Sequence, residues 1–156
     1  MKSGDWTLLF HRCVLEQLER LKAASDKAIA GDPKNAQENA NVKLYAALAT
    51  LILETVPGDP ARDEYRQGNT MEPAFRHWRR AKIGRRFRLF FRYDSSTKVI
   101  VYAWVNDENP LRASGSKNDP YAVFKKMLGR GNPPDDWNAL QGESTRQKIA
   151  RPVKRR

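Results

Sequence analysis

The chain has 156 residues, about two fifths of them hydrophobic, a single cysteine, a formal net charge of +11 and a pI near 10.0. These figures describe one ordinary globular domain with its own core and exclude a disulfide framework, since Cys13 has no second cysteine to pair with. No apolar run approaches the roughly 18 residues of a membrane span, and the first residues carry no apolar signal segment, so a soluble, cytoplasmic protein with no membrane partner is expected. Residues 1–60 hold 7 Lys/Arg against 8 Asp/Glu, whereas residues 61–156 hold 22 against 10. The whole positive excess therefore lies in the second part of the chain. A surface built only for solubility mixes the signs, so the asymmetry points to a polyanionic partner, either nucleic acid or an acidic protein.

Taken in chain order, Trp6–His11 alternates Trp6, Leu8 and Phe10 with Thr7 and Leu9 and reads equally as an edge strand or as the start of a helix. Over residues 12–30, Val14, Leu15, Leu18 and Leu21 recur at helical spacing, and Gly31 is a stop signal. Asp32-Pro33 has the form of an N-cap followed by proline at the first helical position. The second helix presents Leu44, Tyr45, Leu48, Leu51 and Ile52 on one face and ends at Val56-Pro57-Gly58. So short a joint predicts an antiparallel helical hairpin. Pro57, Gly58, Pro60, Gly68 and Pro73 make residues 57–76 an irregular connection. Residues 78–83 form a short strand ended by Gly84, and Phe87, Leu89, Phe91 and Tyr93 mark a second strand. Asp94-Ser95-Ser96-Thr97 turns the chain into Val99–Val105, apolar enough for a central strand covered on both faces. Asp119-Pro120 opens a third helix closed by Gly129, with Val123/Met127 and Phe124/Leu128 four residues apart, and Asn132-Pro133-Pro134-Asp135 leads to a last short helix around Trp137. From Ser144 the composition is polar and basic, that of a disordered tail. Helices, then a small antiparallel sheet, then a helix define an α+β domain.

The strongest local feature is the segment 76–92, which holds eight Lys/Arg and no Asp or Glu. Strand parity places Arg86, Arg88 and Arg92 on the face opposite Phe87, Leu89, Phe91 and Tyr93, and places Arg80 and Lys82 opposite Ala81 and Ile83. A three-residue connection, Gly84-Arg85-Arg86, sets Ile83 beside Phe87, Ala81 beside Leu89, Lys82 beside Arg88 and Arg80 beside Phe90, so the apolar sides coincide. A two-residue loop sets Arg80 beside Leu89 and mixes charge with core. The odd loop is therefore expected. Like charges directly opposite one another cost a sheet roughly 0.2–1 kcal/mol. A fold that keeps them either uses them to hold an anion or splays them into screened solvent.

Arg112 and Lys117 occupy the loop after the central strand. Tyr121 stands in the first turn of the third helix, where its phenol either reaches the polar face of the sheet or caps the core. Asp107 and Glu108 read as structural, with no second acidic pair to make a two-metal nuclease. There is no Gly-rich phosphate loop, zinc pattern or nucleophile elbow. His77, beside the basic strand, is either a proton shuttle or an ordinary surface histidine, and His11 reads as structural. Trp78, Trp104 and Trp137 read as core or rim residues rather than base-stacking platforms.

The run Trp78-Arg79-Arg80-Ala81-Lys82-Ile83-Gly84, continued by Arg86-Phe87-Arg88-Leu89-Phe90-Phe91-Arg92-Tyr93, resembles the YhaV toxins. So do Trp104-Val105-Asn106-Asp107-Glu108-Asn109-Pro110-Leu111-Arg112 and the stretch from Tyr121 to Leu128 with Gly131, Pro133-Pro134 and Asp136-Trp137. The resemblance is carried by about residues 64–138, is weaker in the helical hairpin and does not extend to the basic tail. It implies a single RelE-like domain over 1–143 followed by the tail 144–156. It further implies an N-terminal helical hairpin packed on a small antiparallel sheet with a C-terminal helix, and a toxin of a type II toxin–antitoxin system held by a PrlF-type antitoxin. The activity implied is cleavage of ribosome-associated mRNA, in which the ribose 2′-OH attacks the adjacent phosphate with no metal or cofactor. The residues that match the family's basic positions are Arg80, Lys82, Arg88, Arg112 and Lys117; the first four are the catalytic candidates, and Lys117 joins Arg79, Arg86, Arg92 and Tyr121 as the expected RNA-binding residues.

Those residue types suit the chemistry. The planar donor forks of Arg80 and Arg88 fit oxygens gathering charge in a phosphorane. Lys82, crowded by arginines, is the expected base, since neighbouring positive charge lowers an ammonium pKa. Arg112 and Lys117 are placed to hold the flanking backbone, and Tyr121 to stack on or position a base. So weak a base predicts slow cleavage of free RNA and help from the ribosome. The competing expectations are a non-catalytic RNA- or ribosome-binding module using the same cations for affinity alone, and an interaction protein whose basic face serves only an acidic antitoxin.

Overall fold

A computed structural model describes residues 2–67, 73–106 and 119–149. The chain starts with a two-residue strand, β1 (Lys2–Ser3), that pairs antiparallel with β2 (Trp6–His11). Helix α1 (Arg12–Gly31) follows directly, and its N-terminus is capped by His11, whose Nδ1 accepts the Cys13 N–H at 3.2 Å while Nε2 meets Glu143 Oε1 at 3.1 Å. The second helix does not begin at Asp32-Pro33. Asp32 is the C-cap of α1, and a 3-10 turn at Ala36–Glu38 intervenes before α2 (Ala40–Thr50). Asn39 wins as N-cap because its Oδ1 accepts from both Asn41 N (2.8 Å) and Val42 N (3.3 Å), whereas the Asp32 carboxylate binds the Asn35 side chain. Helix α2 continues through a π-helical turn, Leu51–Thr55, into α3 (Val56–Gly58).

Strands β3 (Arg79–Ile83), β4 (Phe87–Asp94) and β5 (Val99–Val105) form an antiparallel meander. The expected arrangement, a helical hairpin on a small antiparallel sheet, is overturned by β2. Instead of opening a helix or lying at an edge, β2 pairs in parallel with β5, Leu8 opposite Ile100 and Phe10 opposite Tyr102. The sheet is therefore mixed, in the order β1-β2-β5-β4-β3, and begins with a strand rather than with helices. The physical reason lies in β5. All seven of its residues are buried, so its second edge needs a partner, and Leu8 and Phe10 supply side chains that are fully buried. The helices α1 and α2 then form the crossover that parallel pairing requires.

Helices α4 (Pro120–Gly129) and α5 (Trp137–Gly142) follow, each capped by an aspartate: Asp119 accepts from Tyr121 N and Asp136 from Ala139 N. They cover the other face of the sheet. One core combines Leu8, Phe10, Val14, Leu48, Leu89, Phe91, Ile100 and Tyr102 on the α1/α2 side. A second combines Trp78, Phe90, Val101, Trp104, Phe124 and Leu140 on the α4/α5 side. A bulge sets the boundary. Phe90 pairs with Trp104 and Phe91 with Tyr102, leaving Ala103 unpaired, so Ala103 and Trp104 both turn toward α4. Phe124 then stacks on Phe90 at 4.3 Å and on Trp104 at 5.6 Å, edge-on to Trp78 at 4.9 Å. Residues Ser144–Thr145, at the head of the expected tail, pair with Phe10 and His11 as β6, and Ile149 is buried in the first core. No helix among the described residues is long and apolar enough to cross a membrane.

Candidate active site

The β3–β4 hairpin has the register that its parity requires. Ile83 lies opposite Phe87, Ala81 opposite Leu89, Lys82 opposite Arg88 and Arg80 opposite Phe90, with residues 84–86 as the turn. Arg80, Lys82 and Arg88 thus share the face away from Ala81 and Leu89, next to the edge of the second core.

Helix α4 brings Tyr121 onto that face. Its ring stands edge-on to Phe90, with centroids 5.7 Å apart, and its hydroxyl oxygen accepts from Arg80 Nε at 2.9 Å and from Arg88 Nε at 3.3 Å. The phenol therefore reaches the sheet and binds two guanidiniums at one point. Each arginine is also tied back to main chain. Arg80 Nη1 donates to Glu64 O at 2.5 Å, and Arg88 Nη1 donates to Phe87 O at 3.0 Å and Arg85 O at 3.2 Å. All these acceptors are neutral. Among the described residues no carboxylate forms an ion pair with Arg80, Lys82 or Arg88, and none accepts from the Nη2 group of either arginine. Two fixed positive forks thus keep donors available to an anion. Lys82 is exposed beside them.

Asn106, just after β5, holds this end of the hairpin in place. It is 2% exposed, its Oδ1 accepts the Arg88 N–H at 2.6 Å, and its Nδ2 donates to Arg86 O at 2.8 Å. Its place in the sequence alone assigns it no role. The available signal is an amide directly after a wholly apolar strand, where main-chain groups of a neighbouring turn need partners.

Other expected residues lie elsewhere. Arg79 is on the opposite face, its guanidinium 5.8 Å from the Tyr93 ring centre and its Nε buried without an acceptor. Arg86 is exposed in the turn, 5.9 Å over Phe87. Arg92 is half-buried between Trp78 at 5.6 Å and Trp137 at 5.2 Å, and its Nη1 donates to Asp135 O at 2.5 Å. Burial pulls its pKa below the usual arginine value, against the opposing pull of Asp135 and Asp136. His77 meets Asp135 Oδ1 at 2.7 Å, the same oxygen that accepts the Trp78 indole N–H at 2.8 Å, so it belongs with Arg92 rather than with Tyr121. Arg112, Lys117, Asp107 and Glu108 lie outside the described residues.

Comparison with known proteins gives this arrangement its context. The profile of a family described as a toxin with endonuclease activity, of a toxin–antitoxin system, matches residues 8–145. Over 143 residues the chain is 41% identical to Ribonuclease toxin YhaV of Escherichia coli strain K12, covering 90% of this chain and 93% of that protein. Toxin YhaV of E. coli O6:H1 strain CFT073 matches to the same extent, 41% over 143 residues. No solved structure matches significantly. The match takes in β2, both helical layers and the whole basic hairpin, and it places the chain in the YhaV family of toxins with endonuclease activity.

Proposed function

We propose that the chain is a metal-independent endoribonuclease that cuts ribosome-associated mRNA in the cytoplasm, within a toxin–antitoxin pair whose other member is of PrlF type. The observation that carries this reading is the shared acceptor: one phenol oxygen, that of Tyr121, receives the Nε–H groups of both Arg80 and Arg88. It sets two guanidiniums side by side without cancelling their charge. When a 2′-oxygen attacks the adjacent phosphorus, negative charge grows on the non-bridging oxygens and on the leaving 5′-oxygen. Preorganised donors at those positions act on the transition state more than on the ground state.

In this scheme Arg80 and Arg88 grip the non-bridging oxygens, and Lys82, opposite Arg88, takes the 2′-hydroxyl proton. Tyr121, whose oxygen is filled by two donors, is left with its own O–H to pass to the 5′-oxygen. Arg112 and Lys117 hold the flanking backbone. The products are a 2′,3′-cyclic phosphate and a free 5′-hydroxyl.

The test is cleavage of ribosome-bound and free mRNA with end-group analysis. Wild type gives cyclic-phosphate ends with or without EDTA. Tyr121→Phe keeps the ring packing on Phe90 but removes the acceptor and the proton, and is expected to lose about 10²-fold or more in rate. Arg80→Ala should abolish cleavage while weakening ribosome binding only modestly. Cleavage and binding that fall in parallel, with the same salt dependence, would instead identify a binding module.

A further inference from the structure

On the face of the sheet away from Tyr121, a groove of about 480 Å³ opens between α1 and α2 and runs to the turn of the basic hairpin. Its half-buried apolar walls include Leu21, Ala24, Leu44 and Phe87, and Arg20 and Arg86 stand exposed at its rim. Among the described residues no Asp or Glu lines it. An apolar floor with two arginines at its rim matches a peptide segment that is apolar on one side and acidic on the other. It matches RNA poorly, because aliphatic walls offer phosphates nothing and the one ring among the described lining residues, Phe87, already carries Arg86 over it.

From this we infer that the groove is the docking surface for an acidic, apolar-faced segment of the antitoxin. Membership of a toxin–antitoxin family supplies the partner, and the rim cations Arg20 and Arg86 supply the sign. The place of the groove gives the contact a consequence. At its inner end Gln17 grips the main chain of Val105 in both directions, and Asn106 holds Arg86 O and Arg88 N. A segment seated there rests on the residues that fix Arg88, yet it lies across the sheet from Arg80 and Tyr121. The antitoxin thus engages the hairpin without occupying the face where the arginines converge.

The experiment is calorimetric titration of the full-length chain with its cognate antitoxin, without RNA, using Arg20→Glu and Ala24→Trp. Reversing the rim charge should weaken binding by about tenfold or more, and filling the groove by about a hundredfold. Each variant alone should cleave RNA within about twofold of the parent, since neither residue touches the arginine site. Antitoxin affinity within about twofold of the parent in both variants overturns the inference. So does a loss of RNA cleavage at unchanged antitoxin affinity, which assigns the groove to nucleic acid. Arg20 is exposed at the rim, so its variant tests the point even if the tryptophan perturbs α1. Because binding is read without RNA, failure of the ribonuclease mechanism leaves this result standing.

Discussion

The two ends of β4 put the same residue type to opposite uses. Arg88 and Arg92 lie on one strand, four residues and about 13 Å apart, and strand parity alone puts them on one face. Around Arg92 two indoles and a carbonyl close over the guanidinium, and the charge is absorbed into packing. Around Arg88 the neighbours are a phenol oxygen and main-chain carbonyls, with a second arginine on the same phenol. One end turns a cation into a strut of the core, where its stem and plane pack against rings. The other keeps like charges together at a surface, a costly arrangement for a fold that had no anion to meet. The difference comes from what α4 and α5 lay over each end: Tyr121 over one, Trp137 over the other.

The contrast breaks most visibly at Arg88. Arg88→Ala is expected to slow single-turnover cleavage by about 10²–10³-fold, the usual effect of losing one preorganised donor, with little change in the melting curve. Arg88→Lys should not restore the rate, because an ammonium cannot reproduce a fork that holds Tyr121 and an anion together. A full rate in Arg88→Ala would remove this residue from the site.

Next in size is the mirror experiment at Arg92. Arg92→Ala leaves Trp78 and Trp137 without the group between them and frees the Asp135 carbonyl, and should cost about 1–3 kcal/mol in denaturant unfolding. Cleavage per folded molecule should stay near the parent rate. If Arg92→Ala lost activity in proportion to Arg88→Ala at unchanged stability, the two ends of the strand would be one site.

How much of this was legible in the chain follows from the same contrast. The register of the hairpin was readable because period two sorts charge from apolar residues, and only one loop length brings the two sorted faces together. Phe90, a lone aromatic among Arg86, Arg88 and Arg92, was the visible trace of the second core. The partner of β5 was not readable: Trp6–His11 is six residues long, and the strand it joins lies some ninety residues further on, with no local turn to announce the pairing. The bulge at Ala103 was hidden for a related reason, since an unpaired residue in a wholly apolar strand leaves no break in pattern. In the site, parity brought Arg80, Lys82 and Arg88 together, but the separation of Arg92 from them is set by where α5 puts Trp137. That is a tertiary fact with no local signal.

The smallest effect belongs to the far turn of β4, where Asp94 behaves unlike anything in the cationic turn at 84–86. Its carboxylate accepts from Ser96 N, Ser96 Oγ and Thr97 Oγ1 at 3.0, 2.8 and 3.0 Å, and these bonds hold its pKa below the ordinary value of 3.8. A carboxylate whose pKa is lower in the folded chain than in the unfolded one stabilises the fold above the unfolded value, and that stabilisation is lost as pH falls through the folded value. Asp94 lies partly exposed at the surface, so the contribution is small and screened. Wild type should therefore melt slightly above Asp94→Asn at pH 6–7, and the gap should close as pH falls below about 4. Neither turn substitution nor acid should touch the convergence of Arg80 and Arg88 on Tyr121, whose partners carry no carboxylate. A gap that stays constant down to about pH 3 would mean that the Asp94 bonds are equally present in the unfolded turn, and that this end of the strand is held by its indoles alone.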